Sequence, residues 1–186
     1  MVDFFSQYFF LIDFFFAAMI CLIVLLLYII HRIEKSTWYL YWVGFCLGMC
    51  WEFTMIFCTE TGIFAFYVYL VPLPTHFIVI AIAHSFWDGG LFLVGYGLVK
   101  KICAKPTFER FNKNELGIML IWGQLQNLAV ELMSTYANAW EYIPYWWNPT
   151  IFVFNGHIFT LLPQIIWLIA PIVFYYVTLK LNGVGV

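Results

Sequence analysis

The sequence predicts an all-α integral membrane protein, a single transmembrane domain over residues 1–186 built as a five-transmembrane-helix bundle. Three observations predict it. Of 186 residues, 65% are hydrophobic, 23% aromatic and only 10% charged, too little polar surface to coat a soluble globule of this size. Five apolar runs, at about 8–30, 38–57, 75–99, 115–137 and 150–179, are each long enough for the roughly 20 residues that a helix needs to cross a bilayer. All eight Lys and Arg fall on one side of that topology: Arg32, Lys35, Lys100, Lys101, Lys105, Arg110, Lys113 and Lys180. The positive-inside rule then places those connections and the C-terminus in the cytoplasm and the N-terminus outside or in a lumen.

The first run, with "FAAMICLIVLLLYII" at its centre, is continuous and does not alternate, which excludes a barrel strand. It is too long for a signal peptide and lacks basic residues before it, so it is read as a retained helix. Its Asp13 lies near the outer interface and is given a structural role.

The second run carries Glu52 about two-thirds of the way across, at about 1.5 Å per residue. Gly44 and Gly48 share its face, eight and four residues earlier. They suit either a close helix contact or a floor that leaves room for a ligand beneath Glu52. The third run returns with "HSFWDGG", where His84 and Asp88 lie four apart on one face and can bond to each other or to a shared third group. Ionisable groups at membrane depth are costly and tend to mark function.

The fourth run places Gln124, Asn127 and Glu131 on one stripe, which must face inward. The fifth is read with His157, Thr160, Gln164 and Trp167 in the same pattern, followed by Pro171. The two connections on the other side, "TETGIFAFYVYLVPLPT" and "NAWEYIPYWWNP", hold no cations and are crowded with Tyr, Trp, Phe and Pro. They fit an aromatic belt at the membrane interface or a lid over a pocket. Cysteines 21, 46, 50, 58 and 103 show no metal-ligand spacing and are expected to pack in the bundle.

Burial disfavours an ionised carboxylate, so an Asp or Glu in a dry cavity can act as a general acid. Aromatic faces stabilise cations. An acid that protonates a carbon-carbon double bond or an epoxide, indoles around the resulting carbocation, and a second base to collect a proton would act on a sterol or isoprenoid. Glu52 is the first candidate for proton handling, with Asp88 or Glu131 as the second. Trp51, Trp87 and Trp167 are candidates for cation stabilisation. His84, Gln124, Asn127, His157 and Gln164 are candidates for holding geometry or a polar substrate head. Neither a metal, a phosphate loop nor a dinucleotide fingerprint is present in the sequence, so no cofactor is implied. Nor is nucleic acid. The expected partners are a hydrophobic small-molecule lipid and the surrounding membrane lipids, and a homodimer is compatible with the sequence.

At these residues the chain resembles the emopamil-binding protein family, which includes the sterol delta-8 to delta-7 isomerase of the endoplasmic reticulum. "STWYLYWVGFCLGMCWE" is similar to the family's second helix with its Glu, here Glu52; "GQLQNL" looks like its Gly-Gln in helix 4; "QIIWLIAP" resembles its Asn-x-x-Trp-Leu-x-x-Pro, with Gln164 for Asn and Trp167 retained. Where the isomerase pattern has His one turn before the Glu, this chain has Gly48, and Ile80 stands near the place of the family's helix-3 acid. "WEF" at 51–53 is also similar to a motif of the fungal transmembrane terpene cyclases, which use a Glu and an Asp to open an epoxide. The membrane is that of the endoplasmic reticulum or a bacterial inner membrane, and the resemblance implies an isomerase or cyclase in the former. Two other classes stay open: a non-catalytic sterol or lipid binder, and a proton or ion pathway.

Overall fold

A computed structural model describes residues 2–182. Five helices dominate it: α1 (Val2–Ile29), α2 (Lys35–Glu60), α3 (Phe77–Ile102), α4 (Lys113–Ala137) and α5 (Leu161–Asn182). All five are long and apolar enough to cross a membrane. Their outer surfaces carry bare Phe, Leu and Ile, as on α1 with Leu11, Phe15, Phe16, Leu22 and Ile23. Apolar surface of that extent marks contact with a membrane or a partner, and five helices of spanning length and composition are those of an integral membrane protein.

Four short strands complete the fold, and the sequence reading missed them: β1 (Tyr67–Tyr69), β2 (Trp140–Tyr142), β3 (Thr150–Phe154) and β4 (His157–Thr160). β1 pairs antiparallel with β2, with Tyr67 opposite Tyr142 and Tyr69 opposite Trp140. β3 and β4 form a hairpin whose two-residue turn is Asn155-Gly156, both at positive φ (50° and 84°). Asn-Gly is the favoured pair for that turn because both positions need left-handed backbone. The fifth helix therefore begins at Leu161, not near residue 150, and His157 and Thr160 belong to β4 rather than to a helical stripe.

Helix starts follow local chemistry. His76 caps α3 by accepting the Ile78 N–H, and Asn112 caps α4 by accepting the Asn114 N–H at 2.9 Å. Lys100 and Lys101 close α3 and Lys180 lies in the last turn of α5, where the helix dipole favours cations. The α1–α2 and α3–α4 connections and the end of α5 define a basic end of the bundle; the strands occupy the other.

The basic end is sealed by packing. Glu115 is 1% exposed, and its carboxyl accepts the Phe108 N–H at 3.2 Å and the Tyr175 hydroxyl at 3.1 Å. Phe108 thereby folds into the bundle and stacks on Tyr96, with ring centroids 4.9 Å apart. Leu40, Phe92, Val99, Met119 and Phe174 fill the layer above it.

The tightest helix contact is α2 on α3. A Cβ at Gly44 would lie 3.0 Å from the Phe92 ring and 3.1 Å from Gly89 Cα, and one at Gly48 would lie 2.3 Å from an Asp88 carboxyl oxygen. Gly44 and Gly48 thus serve helix contact, and the room at Gly48 is taken by Asp88. Cys46 and Cys50, expected inside, are exposed on the outer face of α2. Packing here allows little extra volume. Gly44→Val should lower the stability of the detergent-solubilised protein by about 1–3 kcal/mol, read as a drop in Tm. Gly97→Ala, where a Cβ meets nothing within 4 Å, should leave Tm unchanged or raise it; equal melting of the two variants would contradict the α2–α3 contact.

Candidate active site

Between the sealed basic layer and the strands lies a cavity of about 380 Å³. Every helix contributes to its wall: Phe9 and Asp13 from α1, Glu52 and Met55 from α2, His84, Trp87, Asp88 and Leu91 from α3, a long stripe from α4, and Trp167 from α5. Its roof is Tyr67 and Tyr69 of β1 with Trp140 and Tyr142 of β2. The aromatic connections therefore make a lid over a pocket. Burial holds the phenols of Tyr67, Tyr69 and Tyr142 above the ordinary tyrosine range, so they remain O–H groups. Tyr67 and Tyr69 are within hydrogen-bond distance of one another at 3.2 Å.

The α4 stripe consists of Trp122, Leu125, Gln126, Ala129, Val130 and Met133, spaced for one helix face. Its inner edge is buried, but Leu125 is 59% and Met133 51% exposed on the outside of the bundle. The cavity therefore reaches the lipid-facing surface along α4. Near the strands the neighbouring α1 is pinned to α4 by the Ser6 hydroxyl, which donates to the Ala137 carbonyl.

Within the cavity, His84 stands between two carboxyl groups. Its Nδ1 is 3.0 Å from Glu52 Oε2 and its Nε2 3.2 Å from Asp13 Oδ2. The contact joins α1, α2 and α3 at one ring. Trp87 Nε1 donates to the Asp13 backbone carbonyl at 3.2 Å, which fixes α1 beside α3 at that level. An imidazole in this position can pass a proton between the carboxyls through its two nitrogens.

Asp88, one turn along α3, bonds neither to His84 nor to any other group among the described residues: it is 5% exposed, and its Oδ2 has no partner there. Glu131 accepts from Gln164 Nε2 at 2.8 Å on one oxygen, while its other oxygen is buried and unpaired. Gln124 Nε2 donates to the Gln164 backbone carbonyl at 3.1 Å, so the Gln124–Gln164 pair supports Glu131 from behind.

Of the sequence candidates, Glu52, Asp88, Glu131, His84, Trp87, Asn127 and Trp167 meet in the cavity wall. Trp51 does not; it packs behind Trp167, with centroids 5.8 Å apart. Gln124 and Gln164 act through Glu131. His157 faces a second, small pocket shared with Glu131, Glu141 and Tyr142. Asp13, given a structural role, also lines the cavity and stands 3.2 Å from His84. Gln126 and Trp122 were missed; the roof was anticipated as one of two readings of its segments, but without naming Tyr67, Tyr69, Trp140 or Tyr142. The roof had a signal in the two-residue alternation of Tyr67 and Tyr69; Gln126 had none beyond being a second polar residue beside Asn127.

No protein-family model, no curated protein and no solved structure matches this chain. The site must be judged by its own geometry. Because one ring links Asp13 and Glu52, their loss should not be additive. Asp13→Asn, Glu52→Gln and the double variant, melted in one detergent, should show a coupling of about 0.5–3 kcal/mol. Strict additivity would mean that His84 does not bridge them.

Proposed function

We propose that this protein is an intramembrane acid/base enzyme that isomerises or cyclises a sterol-like or terpenoid lipid through a protonation-generated carbocation. The observation that carries this reading is the convergence of Asp13, Glu52, His84, Asp88 and Glu131 on one aromatic cavity that opens to lipid. Helix glue pairs its polar groups across helices; here Asp88 and Glu131 each keep a buried oxygen without a hydrogen-bond partner, and Asp13 Oδ2 meets only the His84 ring, at 3.2 Å.

The chemistry needs no oxidant or reductant. A carboxyl group adds a proton to one carbon of a double bond, the cation forms at the other, and loss of a different proton to a second carboxylate gives the isomer. With an epoxide, the proton goes to oxygen, the carbon-oxygen bond breaks, an internal double bond closes a ring onto the cation, and the new cation this leaves loses a proton to a second carboxylate. Trp87, Trp122, Trp140 and Trp167 present rings to the cavity, and ring faces attract cations. Glu52, relayed by His84, handles one proton; Asp88 or Glu131 handles the other. The resemblance of "WEF" and "QIIWLIAP" to intramembrane isomerases and cyclases supports the same reaction class and favours residence in the endoplasmic reticulum, with a bacterial inner membrane as the prokaryotic alternative. In the proposed orientation the basic end faces the cytoplasm and the strand roof faces outward or into a lumen.

The test is solvent-deuterium incorporation. Purified wild type incubated in deuterated buffer with sterols and linear or epoxidised isoprenoids should yield an isomer with deuterium on carbon, or a cyclised product without it when the proton goes to oxygen. Glu52→Gln should lose about 100-fold or more of that turnover, the scale of general acid–base catalysis. Full turnover by Glu52→Gln would remove Glu52 from the mechanism. Lipid binding with no product from any substrate would make the chain a binder instead.

A further inference from the structure

Two further cavity groups are neither proton carriers nor satisfied. Gln126 and Asn127 are each 4% exposed, on successive residues of α4, and both line the cavity. The Gln126 amide nitrogen donates to the Gly123 carbonyl at 2.9 Å within its own helix, which leaves Gln126 Oε1 buried with no partner. Asn127 Nδ2 is likewise buried and unpartnered. Buried amides are almost always paired, and an orphan in a native protein calls for an explanation. Neither side chain titrates near neutral pH, so neither serves the acid/base steps; a recognition role fits their chemistry.

The orphan pair is one acceptor and one donor. We propose that Gln126 and Asn127 form the head-group subsite of this cavity and that the lipid it takes carries a hydroxyl group. The hydroxyl donates to Gln126 Oε1 and accepts from Asn127 Nδ2. An ether, ketone or epoxide oxygen can only accept and leaves Gln126 unpaired; an amine in its ammonium form can only donate and leaves Asn127 unpaired; a hydrocarbon leaves both. The proposal rests on the lipid-handling reading above and names the substrate class: an isoprenoid or sterol alcohol.

Depth agrees with the roles. Asn127 precedes Glu131 by one turn of α4, about 6 Å along the axis, so the hydroxyl lies deeper in the bundle than the Glu131 carboxyl. The apolar remainder then passes the proton-handling groups and the indoles, and its far end leaves along the open edge of α4 at Met133.

The experiment measures affinity for three matched probes by quenching of intrinsic tryptophan fluorescence, with the protein in phosphatidylcholine nanodiscs. They are a twenty-carbon isoprenoid alcohol, its methyl ether and the corresponding deoxy hydrocarbon. Wild type should bind the alcohol at least about tenfold tighter than the hydrocarbon, since sites built to bond a hydroxyl reject analogues that lack it, and the ether should fall between. Gln126→Met should bring the alcohol down to the ether, and Asn127→Leu should erase the advantage of the ether over the hydrocarbon. Equal wild-type affinity for all three probes, or an unchanged ranking in both variants, would overturn the proposal; the wild-type ranking decides even if a variant fails to fold. Product analysis of the same samples separates the two readings. Alcohol selectivity without turnover removes the enzyme assignment and keeps the subsite, whereas hydrocarbon turned over as fast as alcohol removes the subsite and keeps the enzyme.

Discussion

The close approach of α2 to α3 is the constraint on which the rest depends. With no side chain at Gly44 and Gly48, the two backbones come near enough for Phe92, Gly89 and Asp88 to occupy the space those side chains would need. Glu52 lies one turn beyond Gly48 and His84 one turn before Asp88, so the same contact that seats Asp88 brings Glu52 to His84 at 3.0 Å. Driving the helices apart by a methyl group would lengthen that bond and displace Asp88 together. Helix packing and site assembly are therefore one problem in this fold, solved by small residues on one face and polar residues on its continuation.

The two ends of the bundle solve opposite problems. At the basic end a buried carboxyl, Glu115, is fully engaged by the Phe108 N–H and the Tyr175 hydroxyl, and the loop between α3 and α4 closes the layer. At the other end the connections form strands whose backbone groups pair with each other. Side chains tie that end to the bundle: Asn148 accepts from the Leu162 N–H at 2.7 Å and donates to the Ile143 carbonyl, Glu141 accepts from the Ile158 N–H at 2.6 Å, and the Tyr145 hydroxyl donates to the Ala65 carbonyl at 2.7 Å. Carboxyl groups alike in chemistry thus differ in use. Glu115, bonded by the Phe108 N–H and the Tyr175 hydroxyl, and Glu141, bonded by the Ile158 N–H, hold structure; Asp88 and Glu131 are left partly unpaired where a ligand can reach them.

The bundle was legible because the bilayer imposes length and hydrophobicity on every span, and because charge asymmetry orders the connections. Glu52, His84, Asp88 and Glu131 were legible for a related reason: an ionisable group at membrane depth is conspicuous. What failed was the assumption that every apolar stretch is a helix. In "FVFNGHIF" the residues are as apolar as those of a span, but β-branched and aromatic side chains around Asn-Gly describe a hairpin, and this local signal outweighs hydropathy. The nearness of Asp13 to His84 was not legible because depth counted along one helix says nothing of which neighbour it faces. Trp51 failed in the reverse sense: it shares the helix of Glu52, but one residue is a 100° rotation and turns it toward Trp167 and Phe92.

A cavity with orphaned polar atoms works against stability, since each unpaired buried group costs about 1–3 kcal/mol. A bundle serving packing alone would fill the space with Leu and Phe, as this chain does around Phe92 and Phe174. Instead Asp88, Gln126, Asn127 and Glu131 converge with unpaired atoms on one volume, while the polar groups at the basic end are satisfied. Local violations of packing rules are expected where a site needs them and the surrounding fold can carry the loss. The rigid α2–α3 contact and the sealed basic layer supply that support, and the ligand, by pairing with the orphans, would restore what the empty cavity lacks.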